Sequence, residues 1–168
     1  MTDAEWIAQF QAGKTAAYNA LVQRWQGPIY NFICRYTGNR EDARDLCQQT
    51  FIRVYRSLKQ LRDPDKFASW LYQIAHNTCR DAGRARRLMS LDMLCENDQT
   101  PADLLLDPRV YPDAMAHDQG VRDLLNRALQ TLPEEQRVVI VMKEYQGLKF
   151  AEIAEALDMP INTIKSRM

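Results

Sequence analysis

The chain has 168 residues, enough for one domain or two small ones, and its 22 Lys and Arg balance 22 Asp and Glu. No apolar run approaches the roughly 18–20 residues that cross a bilayer. The acidic start, Met1-Thr-Asp-Ala-Glu-Trp6, lacks the basic and apolar parts of a secretory signal, so a cytoplasmic protein without direct membrane insertion is expected. The four cysteines (Cys34, Cys47, Cys79 and Cys95) lie far apart, and the only close His/Cys pair is His76 with Cys79. A metal centre needs three or four clustered ligands, so reduced, packed thiols and no metal or cofactor are expected.

Neutrality hides segregation. Residues 1–90 hold 14 Lys and Arg against 8 Asp and Glu, residues 91–118 hold 1 against 7, and residues 119–168 hold 7 of each. A basic module, an acidic connector and a neutral module follow one another.

The predicted elements are helical. A short helix lies around Trp6 to Phe10. Tyr18, Leu21, Val22, Trp25, Ile29, Phe32, Ile33 and Tyr36 then recur in steps of three and four. Gly27-Pro28 interrupts this stripe and predicts a kink or two short helices. The next stripe is Ala43, Leu46, Cys47, Thr50, Phe51, Val54, Tyr55 and Leu58, begun after Gly38-Asn39 with Glu41 and Asp42 suited to the positive helix start. Asp63-Pro64, a capping residue followed by proline, precedes a third stripe from Phe67 to Ala82. Residues 91–118 contain three of the seven prolines and no helical stripe, and read as an extended linker. Periodicity returns from Val121 to Leu132, and Pro133-Glu-Glu opens a further helix. The β-branched run Val138-Val-Ile-Val141 is ambiguous alone, but its flanks favour helix.

Three stretches carry functional chemistry. The first is the run from Gly147 to Met168. Phe150, Ile153, Ala154 and Leu157 face inward on one helix, Asp158-Met159 turns, Pro160 can start a second helix, and Ile164 anchors it. Asn162, Thr163, Lys165, Ser166 and Arg167 then point mostly outward. This is a helix-turn-helix pattern whose amides, hydroxyls and cations suit base edges and phosphates. An ordinary helical hairpin with a solvated polar face has the same pattern. The second stretch is Trp70 to Arg87, an aromatic helix start leading to Asn77, Arg80, Arg84, Arg86 and Arg87. Guanidinium groups there suit phosphates, and a merely solvated basic end is the plain alternative. The third, Arg40 to Phe51, alternates acids and bases over a packed face: either a solvated helix or a surface that docks another protein.

Asp45-Leu-Cys-Gln-Gln-Thr-Phe51, the pattern from Phe67 to Arg87, and Leu132-Pro-Glu-Glu-Gln-Arg137 followed by Gly147-Leu, Glu152-Ile-Ala154 and Thr163-Ile-Lys-Ser-Arg167 stand in that order. Together they resemble the extracytoplasmic-function sigma factors, which direct bacterial RNA polymerase to promoters. The resemblance implies an all-α fold of two small helical domains, residues 1–90 and 119–168, joined by the acidic linker 91–118. It implies that Asp42, Asp45, Leu46, Gln48 and Phe51 dock on the clamp of the polymerase largest subunit. It implies that Asn77, Arg80 and Arg84 meet the minus-ten element, and that the loop from Leu61 to Lys66, with Arg62, Asp63 and Lys66, captures a flipped base. Unstacking a base costs a few kcal/mol, which couples melting to sequence choice. The helix with Asn162, Thr163, Lys165, Ser166 and Arg167 is implied to read the minus-thirty-five element, and an anti-sigma partner is implied for the whole. Three departures stand out: Gln49 replaces a family Glu, while Asp158 and Asn162 replace glycines but tolerate positive φ. The family continues with more basic residues after Lys165-Ser-Arg167, so the reading helix is expected to be truncated here. No nucleophile–base pair argues for an enzyme. The rival readings are a stand-alone helix-turn-helix regulator and a pure interaction protein.

Overall fold

The computed structural model describes residues 1–89 and 119–168, and all the regular elements among them are helical. The linker expectation for residues 91–118 and the state of Cys95 lie outside the described residues. Among the described residues, no helix is long and apolar enough to cross a membrane.

Helix α1 (Asp3–Gln11) begins with a reciprocal cap. The Glu5 amide donates to Thr2 Oγ1 at 3.3 Å and the Thr2 amide to Glu5 Oε2 at 2.8 Å, which satisfies two otherwise orphaned donors. Of the two expected outcomes, a kink or two short helices, the second is not met: helix α2 (Ala16–Thr37) runs on through Pro28. Proline removes only one backbone donor, and the buried stripe on both sides, from Tyr18 to Ile33, holds the helix together. Gly38 ends it in the left-handed region at φ 71°, and its amide returns to Cys34 O at 2.9 Å.

Helix α3 (Arg40–Ser57) starts at Asn39, whose side chain accepts from the amides of Glu41 and Asp42. Two single 3-10 turns, Leu58–Gln60 and Pro64–Lys66, lead to α4 (Phe67–Met89). Asp63 caps the second of these turns and not α4 itself. The core between these helices is aromatic. Phe10, Tyr18 and Tyr55 form a mutual cluster with ring centroids 5.1–5.5 Å apart, and Phe32 packs edge-on against Tyr72 at 5.4 Å.

The C-terminal part consists of α5 (Gln119–Thr131), α6 (Glu134–Ile140), α7 (Phe150–Leu157) and α8 (Ile161–Arg167). The β-branched run is helical, with Val138, Val139 and Val141 buried. A π-helical turn, Val141–Tyr145, continues α6, a feature that periodicity does not reveal. The turn between α7 and α8 places Asp158 at φ 51°, ψ 51°, the position where the family favours glycine. Asn162 lies inside α8 and takes no positive φ. Pro160 stands at the N-cap and its carbonyl accepts from Thr163 and Ile164. The two parts touch directly: α7 packs along α4, and α6 with its π-helical turn packs on α2.

Candidate nucleic-acid and polymerase interfaces

The face of α3 divides the expected docking residues. Asp45 is exposed and Gln48 half-buried, while Leu46 and Phe51 are 5% and 1% exposed and belong to the core. Their spacing follows from the helix: Leu46, Thr50 and Phe51 share the inward stripe, so only the polar members of the set present side chains outward. Asp42 is half-buried, accepting from Asn39 Nδ2 and paired with Arg86 of α4.

The loop before α4 is held at both ends. Gln11 Nε2 donates to the carbonyls of Leu58 (3.3 Å) and Leu61 (2.9 Å), an anchor from α1 that nothing in the sequence pattern marks. Arg62, Asp63 and Lys66 are exposed. Asp63 Oδ1 accepts from the Asp65 amide at 3.1 Å, and Lys66 Nζ pairs with Glu155 of α7 at 2.7 Å.

On α4, Asn77, Arg80 and Arg84 are exposed and fall on one side of the helix, at steps of three and four. The opposite side is packed: Leu71, Ala75, Thr78 and Cys79 are buried. His76 lies against the Tyr36 ring at 5.3 Å. Burial, and next the nearby Arg80 charge, lower its pKa to about 4, so the imidazole is neutral at pH 7. Burial pushes the Cys79 thiol up to about 12. Both groups are therefore packing elements, and no group of three or more His, Cys, Asp or Glu that could hold a metal occurs among the described residues.

On α8, Ile164 is fully buried and fixes the helix against the core. Asn162, Lys165 and Ser166 are exposed together, and Thr163 is half-buried. Arg167 departs from this group: it turns back to Glu135 at 2.8 Å and approaches Met159 Sδ. An open cavity of about 560 Å³ is lined by residues of α2, α3, α4 and the C-terminal helices. Leu46, Arg80, Arg84, Glu134, Glu135 and Arg137 are among its lining residues.

Two stretches match known families: residues 21–88 match Sigma-70 region 2, and residues 122–168 match Sigma-70 region 4. A helical bundle with a basic, exposed helix and a helix-turn-helix module thus define a transcription initiation factor of the sigma-70 class. Over 171 aligned residues, all of this chain and 89% of each relative, the chain is 32% identical to the ECF RNA polymerase sigma-E factors of Salmonella typhimurium and Escherichia coli K12. The corresponding factor of Haemophilus influenzae is 31% identical over 172 residues, covering all of this chain and 90% of that protein. The chain belongs to the ECF RNA polymerase sigma factors. Its fold matches that of CnrH in complex with the cytosolic domain of CnrY (TM-score 0.70, 24% identity, 99% of this chain and 89% of that one). It also matches the sigma factor RpoE in complex with the anti-sigma factor NepR from Bartonella quintana (TM-score 0.68, 21% identity, 89% and 86%).

Proposed function

We propose that the chain binds core RNA polymerase through the outward face of α3, with exposed Asp45 and half-buried Gln48 its members and Asp42 at its edge. The polar side of α4 (Asn77, Arg80, Arg84) and the loop carrying Arg62, Asp63 and Lys66 engage the minus-ten element. Asn162, Lys165 and Ser166 on α8 contact the minus-thirty-five element, with Thr163 supporting them and Arg167 joining once released from Glu135. Residues 1–90 and 119–168 act as the two recognition modules and residues 91–118 join them. Catalysis stays with the polymerase. An anti-sigma factor controls access to these faces, in keeping with the NepR complex of the structural neighbour.

The observation that carries the reading is the pair of separate exposed polar faces, on α4, backed by a buried stripe, and on α8, anchored by the buried Ile164. Guanidinium and ammonium groups supply the phosphate attraction, while amides and hydroxyls supply base-edge contacts. A stand-alone regulator has no use for the first face.

Retention of a randomised promoter library on gels, with and without core polymerase, tests the proposal. Sequence-selective retention that depends on polymerase is expected. Equal selective affinity of the chain alone for duplex DNA at physiological salt would establish the stand-alone regulator instead.

A further inference from the structure

Helix α8 turns a single side chain fully into the core, that of Ile164. At about 100° per residue, Asn162 and Ser166 lie roughly 160° around the helix from Ile164 and form its crest, one turn apart. Both are exposed. Thr163 and Lys165 stand on the two flanks, about 100° from Ile164.

The polar groups of this face are not equivalent. Ser166 Oγ donates to Thr163 O at 2.9 Å, so outward it is an acceptor only. Arg167, about 60° from Ile164, is engaged with Glu135. Lys165 carries donors and no acceptor. The Asn162 side chain makes no hydrogen bond or ion pair among the described residues. It presents a carbonyl acceptor and an amino donor side by side at the crest.

The fold supplies no other use for this amide. The N-cap of α8 is Pro160, and no side-chain capping bond forms there. Asn162 takes no positive φ, the backbone role that favours asparagine. Asparagine is a poorer helix former than alanine, and here it brings no intramolecular bond in exchange. A merely solvated amide is the plain alternative, and it makes no demand on any base.

The edges of the bases decide what such an amide can read. In the major groove adenine sets its N7 acceptor beside its N6 donor, which an asparagine amide matches with two bonds. Guanine offers two acceptors, cytosine a donor, and thymine an acceptor with a methyl group. Only adenine satisfies both halves of the amide at once.

We propose that Asn162 is a base-reading residue that makes the upstream element require an adenine, held through N6 and N7 in the major groove. The proposal rests on the assignment of α8 to the minus-thirty-five element.

The test uses holoenzyme assembled from core polymerase and the wild-type chain or its Asn162→Ala, Asn162→Asp or Lys165→Ala variant. Each holoenzyme selects from a promoter library randomised throughout the upstream region, and the bound promoters are sequenced. Circular dichroism checks that helicity is unchanged. The wild type is expected to enrich adenine at one upstream position. Asn162→Ala is expected to lower that enrichment roughly five- to hundredfold at that position alone, the range for one bidentate base contact. Asn162→Asp keeps the shape and loses the donor, so the preference there is expected to move to cytosine, whose N4 amino group donates. Comparing bases within one variant cancels the uniform repulsion between the new carboxylate and the phosphates. Adenine enrichment kept by either variant would overturn the proposal. A loss spread evenly over every upstream position would also overturn it, by making Asn162 a backbone contact. An upstream element that the wild type selects and Lys165→Ala weakens, but without an adenine that depends on Asn162, would remove the proposal and leave the α8 assignment standing. If the wild-type holoenzyme selects no upstream position, that assignment itself falls and takes the proposal with it.

Discussion

The N-terminal module encloses its own core of aromatic rings, whereas the C-terminal module has three helices of seven or eight residues and leans on its neighbour. Phe10, Tyr18, Phe32, Phe51 and Phe67 are all buried in the first, each within long or capped helices. The second relies on Val138, Val139, Met142, Ile153 and Ile164, and its outer helix α5 leaves Val121, Leu124 and Leu125 exposed. Between them run one exposed ion pair, Lys66 with Glu155, two part-buried hydrogen bonds, Gln130 with Arg35 O and Tyr72 with Gln146, and an apolar cluster that takes in buried residues of both. Exposed ion pairs and single hydrogen bonds contribute little net stability. The contrast teaches that the two parts are built differently: long helices around buried rings in the first, short helices completed by packing on a neighbour in the second.

The largest test of this contrast is Phe51→Ala. Removing a fully buried ring should cost about 3–5 kcal/mol in urea unfolding. A stable variant that loses only polymerase binding would return Phe51 to a contact role.

Acid should next strike the N-terminal module through His76. Its folded pKa is lowered from 6.5 to about 4 by burial and then by Arg80, with Tyr36 and Glu134 also facing it. Between those values the unfolded chain binds the extra proton. The contribution is therefore complete above pH 6.5 and is lost as pH falls toward 4, on the order of 3 kcal/mol at 1.36 kcal/mol per unit. Stability of wild type and His76→Gln between pH 4 and 7 measures it; parallel profiles would remove His76 as the cause.

Arg80→Ala should impair promoter opening by about 1.5–3 kcal/mol and lower the salt dependence by about one phosphate contact, with polymerase affinity preserved. Equal loss of both activities would move Arg80 into the docking surface. Asp45→Lys should weaken polymerase binding by about 1 kcal/mol with helicity intact, as read by competition for core enzyme. Unchanged competition would remove Asp45 from that surface.

The smallest effect belongs to Asp158. Asp158→Gly relieves a left-handed residue and should leave thermal stability equal or raise it by up to about 1 kcal/mol. A clear loss would mean that its side chain supports the turn.

Much of this architecture is legible in the chain because local rules dominate it. The stripes of α2, α3 and α4, the Asn39 cap and the turn at Asp158 all follow from spacing and from the few residues that suit each backbone position. The inward place of Leu46 and Phe51 is also in their periodicity, even though the family motif assigns them to docking. What the chain does not display is non-local. Pro28 reads as a kink or a break because the burial of its neighbours on both sides, Tyr18 to Ile33, is not displayed at Pro28 itself. The π-helical turn Val141–Tyr145, which packs on α2, has no mark in the periodicity. Gln11 gives no sign that it holds Leu61, nor Glu155 that it meets Lys66, because those pairings join residues 50 and 89 positions apart. Arg137 is visible as part of a motif, but its bond to Tyr36 O at the end of α2 appears only when the modules meet.

Run-off transcription reconstituted from core polymerase and this chain, on a library of promoters, tests the central claim most directly. The account predicts transcripts that depend on the chain and start from promoters sharing two spaced upstream elements. Transcripts independent of the chain, or of either element, would contradict it.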